Sequence, residues 1–529
     1  MTASAVALPG ALADEGDPHR WLIAIAATLA SLMQVIDTSI VNVAIPHMMG
    51  ELGASIDEIA WVSTGYILAS VIIIPMTAWL SGFFGRKRYF TTSILIFTAA
   101  SFFCGASSTL PTLIFWRIVQ GIGGGALLST SQAVIFEAFP KREVGTAMAV
   151  FGLGVMVGPT IGPTLGGFLT DNYSWPWIFY INLPIGAAAA VMAMMYVHDA
   201  AHHQRARTID FLGIAILAVS VSALQYFVEH GQRDDWFNSP LMATLAIGGL
   251  IGVALLVWRE LSIDHPVINF RVLRHRDVWI GVVIGVMFGV GLFGSVFILP
   301  IFLQGNLRMS AWQTGMVILP GAIMTAISMV IAGRLSNRVD ARVMVCVGVL
   351  LFGFSMWRLS HITPLSGAHD FFWPLVWRGL GLGLMFVPLT NITLADLDPR
   401  EVQDGAAISI FARSLGGSFG IAGMAALLTR FTMQAREALG ANLGANDPMV
   451  MQHLGAITRG LATRGLDADA AHKAALSIMD GQLYAQASAI GFSKVYLLSG
   501  LILVMTLPLL LLVRHTRPTT PAGHAVVAE

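Results

Sequence analysis

Long apolar stretches follow one another along almost the whole chain, separated by short polar segments. A helix that crosses a membrane needs about 20 mostly apolar residues. With that length as the criterion, the sequence predicts fourteen membrane-spanning helices. Their predicted positions are 21–46, 58–80, 89–109, 111–136, 145–169, 177–197, 209–229, 241–258, 277–304, 314–336, 342–360, 371–394, 405–430 and 488–513. The pattern therefore predicts an all-α polytopic membrane protein.

Basic residues are concentrated on one side of the predicted helices. If the N-terminus is inside, 18 of the 30 Lys and Arg residues fall in inner segments, whereas the short outer loops hold only Arg233 and Arg308. Short loops rich in Lys and Arg remain on the cytoplasmic side. A polar tail, 1–20, precedes the first helix, and no small-residue cleavage site follows that helix. We therefore expect a retained first helix and cytoplasmic tails at both ends, 1–20 and 514–529.

Composition agrees with a membrane protein and argues against other classes. Hydrophobic residues make up 56% of the chain and charged residues 11%, whereas a soluble domain has about 25% charged residues. The formal net charge of zero argues against nucleic acid as a partner. The two cysteines, Cys104 and Cys346, lie in apolar runs, so we expect neither a disulfide framework nor a metal site.

Three short motifs occur twice at nearly the same separation. Leu80-Ser81 recurs 255 residues later, the arginine before a glycine cluster recurs 261 residues later, and Arg142-Glu-Val144 recurs 258 residues later. The repeated copies begin at Leu335, Arg378 and Arg400. Such parallel repeats are typical of transporters built from two similar halves. We predict two six-helix bundles, 21–197 and 277–513, with two inserted membrane helices at 209–258.

Four strings, in order along the chain, carry a resemblance to a known family. They are Asp37-Thr-Ser-Ile-Val-Asn-Val-Ala-Ile-Pro46, Arg117-Ile-Val-Gln-Gly-Ile-Gly-Gly-Gly125, the spaced set Gly145, Gly154, Gly158, Pro159 and Gly162, and Trp177-Ile-Phe-Tyr-Ile-Asn-Leu-Pro-Ile-Gly186. The chain resembles the major facilitator superfamily over nearly its whole length. Within that superfamily it is similar to the fourteen-helix drug:proton antiporters of the EmrB/QacA type, especially the EmrB-like inner-membrane multidrug exporters. The resemblance implies a major facilitator fold with a central cavity.

Two positions depart from the family pattern. Gly82 and Phe83 stand where the family usually has an acid and a base, which puts in doubt the charge latch that many members are thought to use there. Lys494 stands where the resemblance leads us to expect an aspartate. The rest of this cytoplasmic loop motif is retained at Gly85, Arg86 and Lys87.

Asp37 is the only carboxylate well inside the first predicted helix. Ionisable residues within a membrane are costly and usually functional, so we expect Asp37 to couple transport to proton uptake and release. It lies ~24 Å along the helix from Trp21, and Arg117 lies ~9 Å from the outer end of its antiparallel helix. The family fold places these helices side by side, so Arg117 is expected to reach Asp37. A purely structural Asp–Arg pair is the alternative.

The glycines of the fifth helix have two interpretations. Gly145, Gly154, Gly158 and Gly162 are spaced by 9, 4 and 4 residues, which we interpret as one close-packed face kinked at Pro159. The resemblance implies that this antiporter motif joins the two halves and seals the cavity. Alternatively, the glycines only reflect the general abundance of Gly and Pro in membrane helices.

Two further arginines, Arg378 and Arg413, lie inside predicted helices that contain no acid to neutralise them. They either bond to helix backbone and polar side chains or face the cavity. From the resemblance and these polar positions, we predict a substrate cavity with five polar residues. They are Gln34, Asn42, Gln120, Arg378 and Arg413.

The segment 431–487 is too long for a simple turn between two helices. Its first part repeats apolar residues every four positions at Ala435, Leu439 and Leu443, which favours an outward extension of the preceding helix. A disordered insert is the alternative. We hypothesise that this outer loop docks a periplasmic adaptor.

The sequence predicts a proton-coupled multidrug exporter that works by alternating access. Substrates would be hydrophobic or amphipathic small molecules, with weak acids or neutral compounds preferred. A dedicated exporter of one metabolite, such as a siderophore, lipid or sugar precursor, and a non-transporting membrane sensor or scaffold are the alternatives. We find no catalytic constellation and expect no enzyme activity and no cofactor besides the proton gradient. The resemblance implies an inner-membrane location, contact with lipid, and work with a periplasmic adaptor and an outer-membrane channel.

Overall fold

The computed structural model describes residues 17–513, apart from 55, 200–209, 232–233, 264–265, 337, 395–396, 399–400 and 442–447. Every regular element in these residues is helical. Residues 1–16 of the first predicted tail, all of the second tail, 514–529, and Leu443 of the predicted outer loop lie outside the described residues. The described chain is therefore an all-helical bundle, as the apolar pattern predicts.

Six long helices form the N-terminal bundle, and a one-turn helix, Trp177–Tyr180, introduces the sixth. They are α1 Arg20–Leu52, α2 Ile56–Phe84, α3 Arg86–Gly105, α4 Leu110–Ala138, α5 Lys141–Asn172 and α6 Asn182–Tyr196. Two helices follow before the second bundle, α7 Phe211–His230 and α8 Pro240–Ser262.

The C-terminal bundle repeats this arrangement and adds an extra helix near its end. Its helices are α9 Arg276–Ile301, α10 Ala311–Leu335, α11 Ala341–Leu359, α12 Ala368–Leu394, α13 Val402–Ala441, α14 Pro448–Ala462 and α15 Ala468–Val504. A π-helical turn, Phe302–Asn306, continues α9, and a short helix, Leu507–Leu510, follows α15.

Twelve helices in the described residues are long and apolar enough to cross a membrane. The two remaining long helices of the bundles, α3 and α5, are not among them. Arg86, Lys87 and Arg88 begin α3, and glycines and polar residues dilute the apolar content of α5. Both pack inside the N-terminal bundle, with α3 against α4 and α5 against α1. The number fourteen therefore stays a prediction, whereas a polytopic helical protein is established.

The two bundles share the same helix-packing register. A side chain at Gly123 would meet the backbone nitrogen of Phe97 and the carbonyl of Ser93, and one at Gly381 would meet the nitrogen of Phe352 and the carbonyl of Gly348. The glycine thus lets α4 approach the backbone of α3 in the N-terminal bundle, and it lets α12 approach the backbone of α11 in the C-terminal bundle. The internal repeat read from the sequence is therefore present in three dimensions.

This register corrects one of the motif pairs. Gly123 and Gly381 are 258 residues apart, so Arg378 corresponds to Gln120 and not to Arg117. The residue that corresponds to Arg117 is the buried Leu375. The separation of 261 residues between the two arginines is three residues too large, almost one helical turn, which places them at different levels of equivalent helices.

The bundles meet along two seams. Helix α5 packs along α10, and α2 and α4 pack against α13. The inserted helix α7 contacts both α2 and α13, and the amide of Gln225 donates to the hydroxyl of Ser418 at 3.0 Å. Helix α7 therefore lies against the second seam and touches both halves, and α8 packs on α7.

The segment predicted as a long outer loop is largely helical. Helix α13 has 40 residues and α15 has 37, so each is ~55–60 Å long, about twice the ~30 Å hydrocarbon core of a membrane. The shorter α14 packs on α15. The predicted helical extension is present as far as Ala441, with the buried Ala435 packed between the two long helices. Its position on the outer side of the membrane stays a prediction.

Lys494 lies where these long helices meet. Its ammonium group is 5.3 Å from the centre of the Phe431 ring, a cation–π contact between α15 and α13. The lysine that stands in place of the expected aspartate therefore has a packing partner on α13.

Candidate functional site

The polar core of the N-terminal bundle is an ion pair between α1 and α4. The Nη1 atom of Arg117 donates to Oδ2 of Asp37 at 2.6 Å, and the two side chains are 1% and 0% exposed. Helices α1 and α4 run in opposite directions and place both residues at the same depth, as the helix positions predict. The structure therefore brings the two predicted proton-coupling residues into direct contact.

Two amide side chains complete the hydrogen bonding of the acid. Gln120 donates to Oδ1 of Asp37 at 2.9 Å and Asn182 donates to the same atom at 3.1 Å. Both amides also donate to the hydroxyl of Ser101, at 2.7 and 3.3 Å. Asp37 thus accepts three hydrogen bonds from α4 and α6.

Arg117 is held equally firmly. Its Nε donates to the carbonyl of Val62 at 2.9 Å, and its Nη1 also donates to Oε1 of Gln120 at 2.6 Å. The guanidinium carbon lies 4.4 Å from the centre of the Tyr66 ring. A buried charge is stable only when it is paired and hydrogen-bonded, and this arginine meets both conditions.

We define the polar cluster as Asp37, Arg117, Gln120, Asn182 and Ser101. In this conformation its acid is closed off from solvent, so a proton can reach Asp37 only if neighbouring helices separate or a donor moves away. The sequence analysis did not identify Asn182 and Ser101. Asn182 lies within the Trp177–Gly186 string. Its position as a polar residue among apolar ones was the sequence signal that could have identified it as a partner of Asp37.

The predicted substrate-cavity residues separate into different environments. Gln120 belongs to the polar cluster. Gln34, on α1, is half-buried and its Oε1 has no hydrogen-bond partner among the described residues. The side chain of Asn42 lies outside the described residues. The structure thus brings Gln120 to the ion pair and leaves Gln34 available to another ligand.

The two arginines of the C-terminal bundle are buried without an acid. Arg413 is 8% exposed, and its guanidinium carbon lies 4.8 Å from the Phe386 ring centre and 5.8 Å from that of Phe288. Arg378 is 5% exposed. In the described part of the chain neither arginine has a backbone or side-chain hydrogen-bond acceptor. The expected bonding to helix backbone is therefore not what holds them.

The glycines of α5 lie on two faces, which corrects the prediction of one. Side chains at Gly154, Gly158 and Gly162 would meet Thr28, Val35 and Ser39 of α1, within the same bundle. Gly145 instead faces Gly333 of α10, whose carbonyl oxygen lies 3.0 Å from the position of an added Cβ atom. Nine residues are two and a half helical turns, so Gly145 points away from the other three. Of these four, only Gly145 joins the halves; the side chain of Pro159 lies outside the described residues.

The cytoplasmic loop motif forms a second contact between the halves. Arg86 forms an ion pair with Glu137 of its own bundle and donates from Nε and Nη2 to Oε1 of Gln403, at 3.2 and 2.9 Å. Gln403 in turn donates to the carbonyl of Thr77 at 3.4 Å. Although the acid–base pair of the family pattern is replaced, Arg86 still links α3 to α13. The sequence did not identify Glu137 or Gln403 as its partners.

Gly85 and Lys87 shape the start of α3. Gly85 has a φ angle of 88°, a left-handed conformation that favours glycine. The backbone nitrogen of Lys87 donates to Oδ1 of Asp199 at 3.0 Å, which satisfies a free group of the helix start. Gly85 and Lys87 of this motif thus set the backbone at the start of α3, whereas Arg86 contacts the other half.

Comparisons with known sequences give one family. The family model described as Major Facilitator Superfamily matches residues 27–421. The multidrug export protein EmrB of Escherichia coli (strain K12) is 34% identical over 400 residues, which are 75% of this chain and 78% of that protein. The fatty acid resistance protein FarB of Neisseria gonorrhoeae is 30% identical over 509 residues, 94% of this chain and 96% of that protein. The similarity therefore includes both bundles.

Solved structures give the same fold at low sequence identity. The human organic anion transporter MFSD10 (TETRAN) has a TM-score of 0.60 and 13% identity, and the match covers 92% of this chain and all of that one. A double-tryptophan mutant of XylE has a TM-score of 0.58 and 12% identity over 94% of this chain and all of that one. At these identities the likeness establishes the fold alone.

Proposed function

This chain belongs to the major facilitator superfamily, and from that premise we propose that it is a proton-coupled exporter of hydrophobic or amphipathic compounds. It works by alternating access across the inner membrane, with both termini in the cytoplasm. The names of its relatives, which refer to multidrug export and to fatty acid resistance, support export as the direction of transport. The distribution of Lys and Arg supports the orientation.

The observation that carries proton coupling is the enclosed ion pair of Asp37 and Arg117. The pair is stable while both side chains are charged, because each neutralises the other. Protonation of Asp37 leaves Arg117 without its counter-charge, so it favours a conformation in which the cluster opens. Deprotonation on the other side of the membrane restores the closed cluster. This cycle ties one proton-binding step to one change of conformation.

The proposed substrates are weak acids or neutral amphiphiles in preference to dications. Arg117 offsets the only well-buried acid of the N-terminal bundle, whereas Arg378 and Arg413 have no acidic partner among the described residues. The uncompensated charge inside the membrane is therefore positive. Coulomb attraction is strong where water is scarce, so an anionic group is attracted and a second positive charge is repelled.

Everted membrane vesicles with an imposed pH gradient test the proposal directly. Uptake of a fluorescent hydrophobic weak acid should follow the gradient and stop when an uncoupler collapses it. Matched neutral and cationic compounds with the same hydrophobic body should rank below the weak acid. Uptake that ignores the pH gradient would refute proton coupling, and a preference for dications would refute the charge argument. A substrate screen in an efflux-deficient host would separate broad from dedicated export.

The predicted outer segment, 431–487, is proposed as the docking site of a periplasmic adaptor. Two helices that continue beyond the membrane offer a rigid surface, and α14 has no buried residue in this chain alone. Shortening the segment should spare uptake into everted vesicles and reduce efflux from whole cells, because only whole cells require delivery across a second membrane. Equal loss in both assays would indicate a folding defect instead.

A further inference from the structure

An acid near the end of α8 takes no part in the polar cluster and is almost fully buried. Glu260 is 1% exposed, and its Oε2 accepts from the backbone nitrogens of Val267 and Ile268, at 2.7 and 3.2 Å. On the other side, an added Cβ atom at Gly213 of α7 would lie 2.7 Å from its Oε1. Non-helical backbone needs acceptors for its N–H groups, so Glu260 fixes the path of the chain that leads into α9. We call residues 266–275, the described segment directly before α9, the strap.

The apolar residues of the strap pack where the two halves meet. Val267 and Ile268 are buried, and they share one apolar cluster with residues of α2, α7, α8 and α13. From the N-terminal bundle this cluster includes Val71 and Met76 of α2, and from the C-terminal bundle it includes Ile408 of α13. Since α2 and α13 pack against each other, the strap covers the seam between them.

Polar contacts fasten the strap to the C-terminal bundle. The Nδ2 atom of Asn269 donates to Oδ2 of Asp404 on α13 at 2.9 Å. Glu401, directly before α13, accepts from Nη2 of Arg274 at 3.4 Å and lies 3.2 Å from Nε2 of His275. The strap also joins a second buried apolar cluster, which consists of Val272, Val278, Leu394, Leu397, Val402 and Ala406. It therefore has both polar and apolar contacts with this bundle.

The contacts of the strap with the N-terminal bundle are of a different kind. In the part of the chain that the structure describes, no hydrogen bond or ion pair joins the strap to helices α1 to α6. Apolar surfaces can part without leaving a donor or acceptor unsatisfied, whereas breaking the bond between Asn269 and Asp404 leaves both groups without a partner. When the halves move apart, the weaker boundary is therefore the one between the strap and α2.

We propose that the strap closes the seam between α2 and α13, and that this seam opens between the strap and α2 while the strap stays on α13. The end of α8, which Glu260 holds to the strap, moves with it. This inference rests on the proposed alternating access and deepens it, because it names the surface along which the halves part at the end where α9 begins. Glu260 acts only through the strap and is therefore a positioning residue.

Reversible cross-links in the full-length protein test where the seam opens. The first set joins the strap to α2 and combines a strap variant, Val267→Cys or Ile268→Cys, with an α2 variant, Met76→Cys or Leu80→Cys. The second joins the strap to α13 through Asn269→Cys and Asp404→Cys. Both sets use a short bifunctional thiol reagent that a reductant cleaves. The chain without introduced cysteines, treated in the same way, is the control for Cys104 and Cys346.

The two sets should give opposite results in everted vesicles. Cross-linking the strap to α2 should abolish uptake of the weak acid, because it holds the seam shut, and the reductant should restore uptake. Cross-linking the strap to α13 should cause no loss relative to the same variant after cleavage, because that contact persists through the cycle.

Hydrogen exchange and cysteine labelling in lipid nanodiscs test the role of Glu260 without transport. Glu260→Ala should speed amide exchange at 267–268 and raise the rate at which maleimide labels the buried Met76→Cys several-fold. Glu260→Gln retains an oxygen that accepts from the backbone and should keep both rates near those of wild type. Glu51→Ala is the matched control, since Glu51 accepts from the Trp175 indole at 2.8 Å at the opposite end of the bundle. Faster exchange without faster labelling would show that the strap does not cover the seam.

Three results of the cross-linking would overturn the proposal. They are uptake that continues with the strap joined to α2, uptake that the link to α13 blocks reversibly, and failure of every strap–α2 pair to react. A wild type that exports nothing, with labelling of Met76→Cys still controlled by Glu260, would instead count against the proposed function alone.

If Glu260→Ala does not fold, Asn269→Asp decides. It sets a second carboxylate against Asp404, so it should loosen the strap and raise the labelling rate of Met76→Cys. Asn238→Asp makes the same change at an exposed position between α7 and α8 and is the control. Equal labelling in wild type, Asn269→Asp and Asn238→Asp would overturn the proposal.

Discussion

The two halves of this transporter share their helix packing and differ in the chemistry that the packing encloses. In the N-terminal bundle, Asp37 and Arg117 neutralise each other and two amides satisfy the acid. At the corresponding positions of the C-terminal bundle, Phe288 and Leu375 are apolar and fully buried. Its arginine, Arg378, is shifted by almost one turn and has no acidic partner in the part of the chain that the structure describes. Among the described residues, the arginine inside the N-terminal bundle is therefore paired with an acid, whereas Arg378 and Arg413 inside the C-terminal bundle are not.

We propose that this difference divides the work of transport between the halves. In the proposed function, protonation of Asp37 removes the attraction that stabilises its ion pair with Arg117. The buried arginines of the C-terminal bundle have no acidic partner among the described residues, so the proposed preference for anionic groups is assigned to that half. Four predictions test whether this contrast is real.

The largest expected effect is that of Asp37→Asn. The amide retains the volume of the acid and cannot ionise, so proton-driven uptake into everted vesicles should fall to the background of vesicles without the transporter. Removing one partner of a buried ion pair also leaves the other charge uncompensated, at a cost of about 3–5 kcal/mol. The variant should therefore unfold more easily, which thermal unfolding in detergent would detect.

The double variant Asp37→Asn with Arg117→Gln separates coupling from stability. It removes both charges, so it should recover most of the lost stability and none of the proton-driven transport. Normal drug resistance from Asp37→Asn at equal expression would disprove the coupling role. Recovery of transport together with stability would assign the pair a purely structural role.

The next effect in size is that of Arg117→Lys. A lysine ammonium cannot replace a planar guanidinium that contacts Asp37, Gln120 and the Val62 carbonyl simultaneously. Loss of one charge-assisted hydrogen bond, about 1.5–3 kcal/mol, should lower the transport rate by about tenfold or more. Because the two residues act as a unit, Arg117→Ala combined with Asp37→Asn should be no worse than either alone. Additive losses would contradict a shared role.

A third test compares equivalent glycines in the two halves. An added methyl group at Gly158 would lie 2.7 Å from Cγ1 of Val35, a side chain that can shift, whereas at Gly416 it would clash with the carbonyl oxygen of Val286. Overpacking costs about 1–3 kcal/mol, and a backbone neighbour yields less than a side chain. Gly416→Ala should therefore lower the unfolding temperature more than Gly158→Ala. If Gly158→Ala lowered the unfolding temperature more than Gly416→Ala, backbone contact at the shared glycine positions would not be what limits these substitutions.

The smallest expected effect on stability is that of breaking the ion pair between Asp210 and Arg259 at the edge of the bundle. This pair is the reference for the buried pair of Asp37 and Arg117. Arg259 donates to both oxygens of Asp210, at 2.6 and 3.0 Å, and this hydrogen bonding holds the pKa of Asp210 below its ordinary value. Because this pKa is lower in the folded state than in the unfolded state, the ionised carboxylate stabilises the fold above about pH 4. That stabilisation is lost as the pH falls through the folded-state pKa. Asp210→Asn should cost about 0.5 kcal/mol at pH 7.

The pH dependence provides the check on that reference pair. The difference in unfolding temperature between wild type and Asp210→Asn should narrow as the pH falls below about 4, because the wild-type carboxylate then becomes protonated. A difference that stays constant with pH would mean that the side chain acts only as the helix N-cap of α7, through its bond from Gly213.

Much of the site was predictable because charge in a membrane is rare and depth along a helix can be counted. Asp37 and Arg117 stand out in apolar surroundings, and their distances from the helix ends place them at one level. Asn182, Ser101 and Gln403 could not be identified in this way. Uncharged polar residues are common in membrane helices, and only the direction of each side chain distinguishes a partner of Asp37 from a residue that bonds to its own backbone.

The sequence by itself determined that the chain is a polytopic helical protein with an internal repeat, because apolar length and motif order are properties of one dimension. Only the tertiary structure decided the register of that repeat, since a three-residue error rotates a helix position by most of a turn. It also decided which glycines face which helix and that 431–487 begins and ends as helix. The contrast between a satisfied Arg117 and an unsatisfied Arg378 depends on neighbours from helices that are far apart in sequence, and packing alone brings those neighbours together.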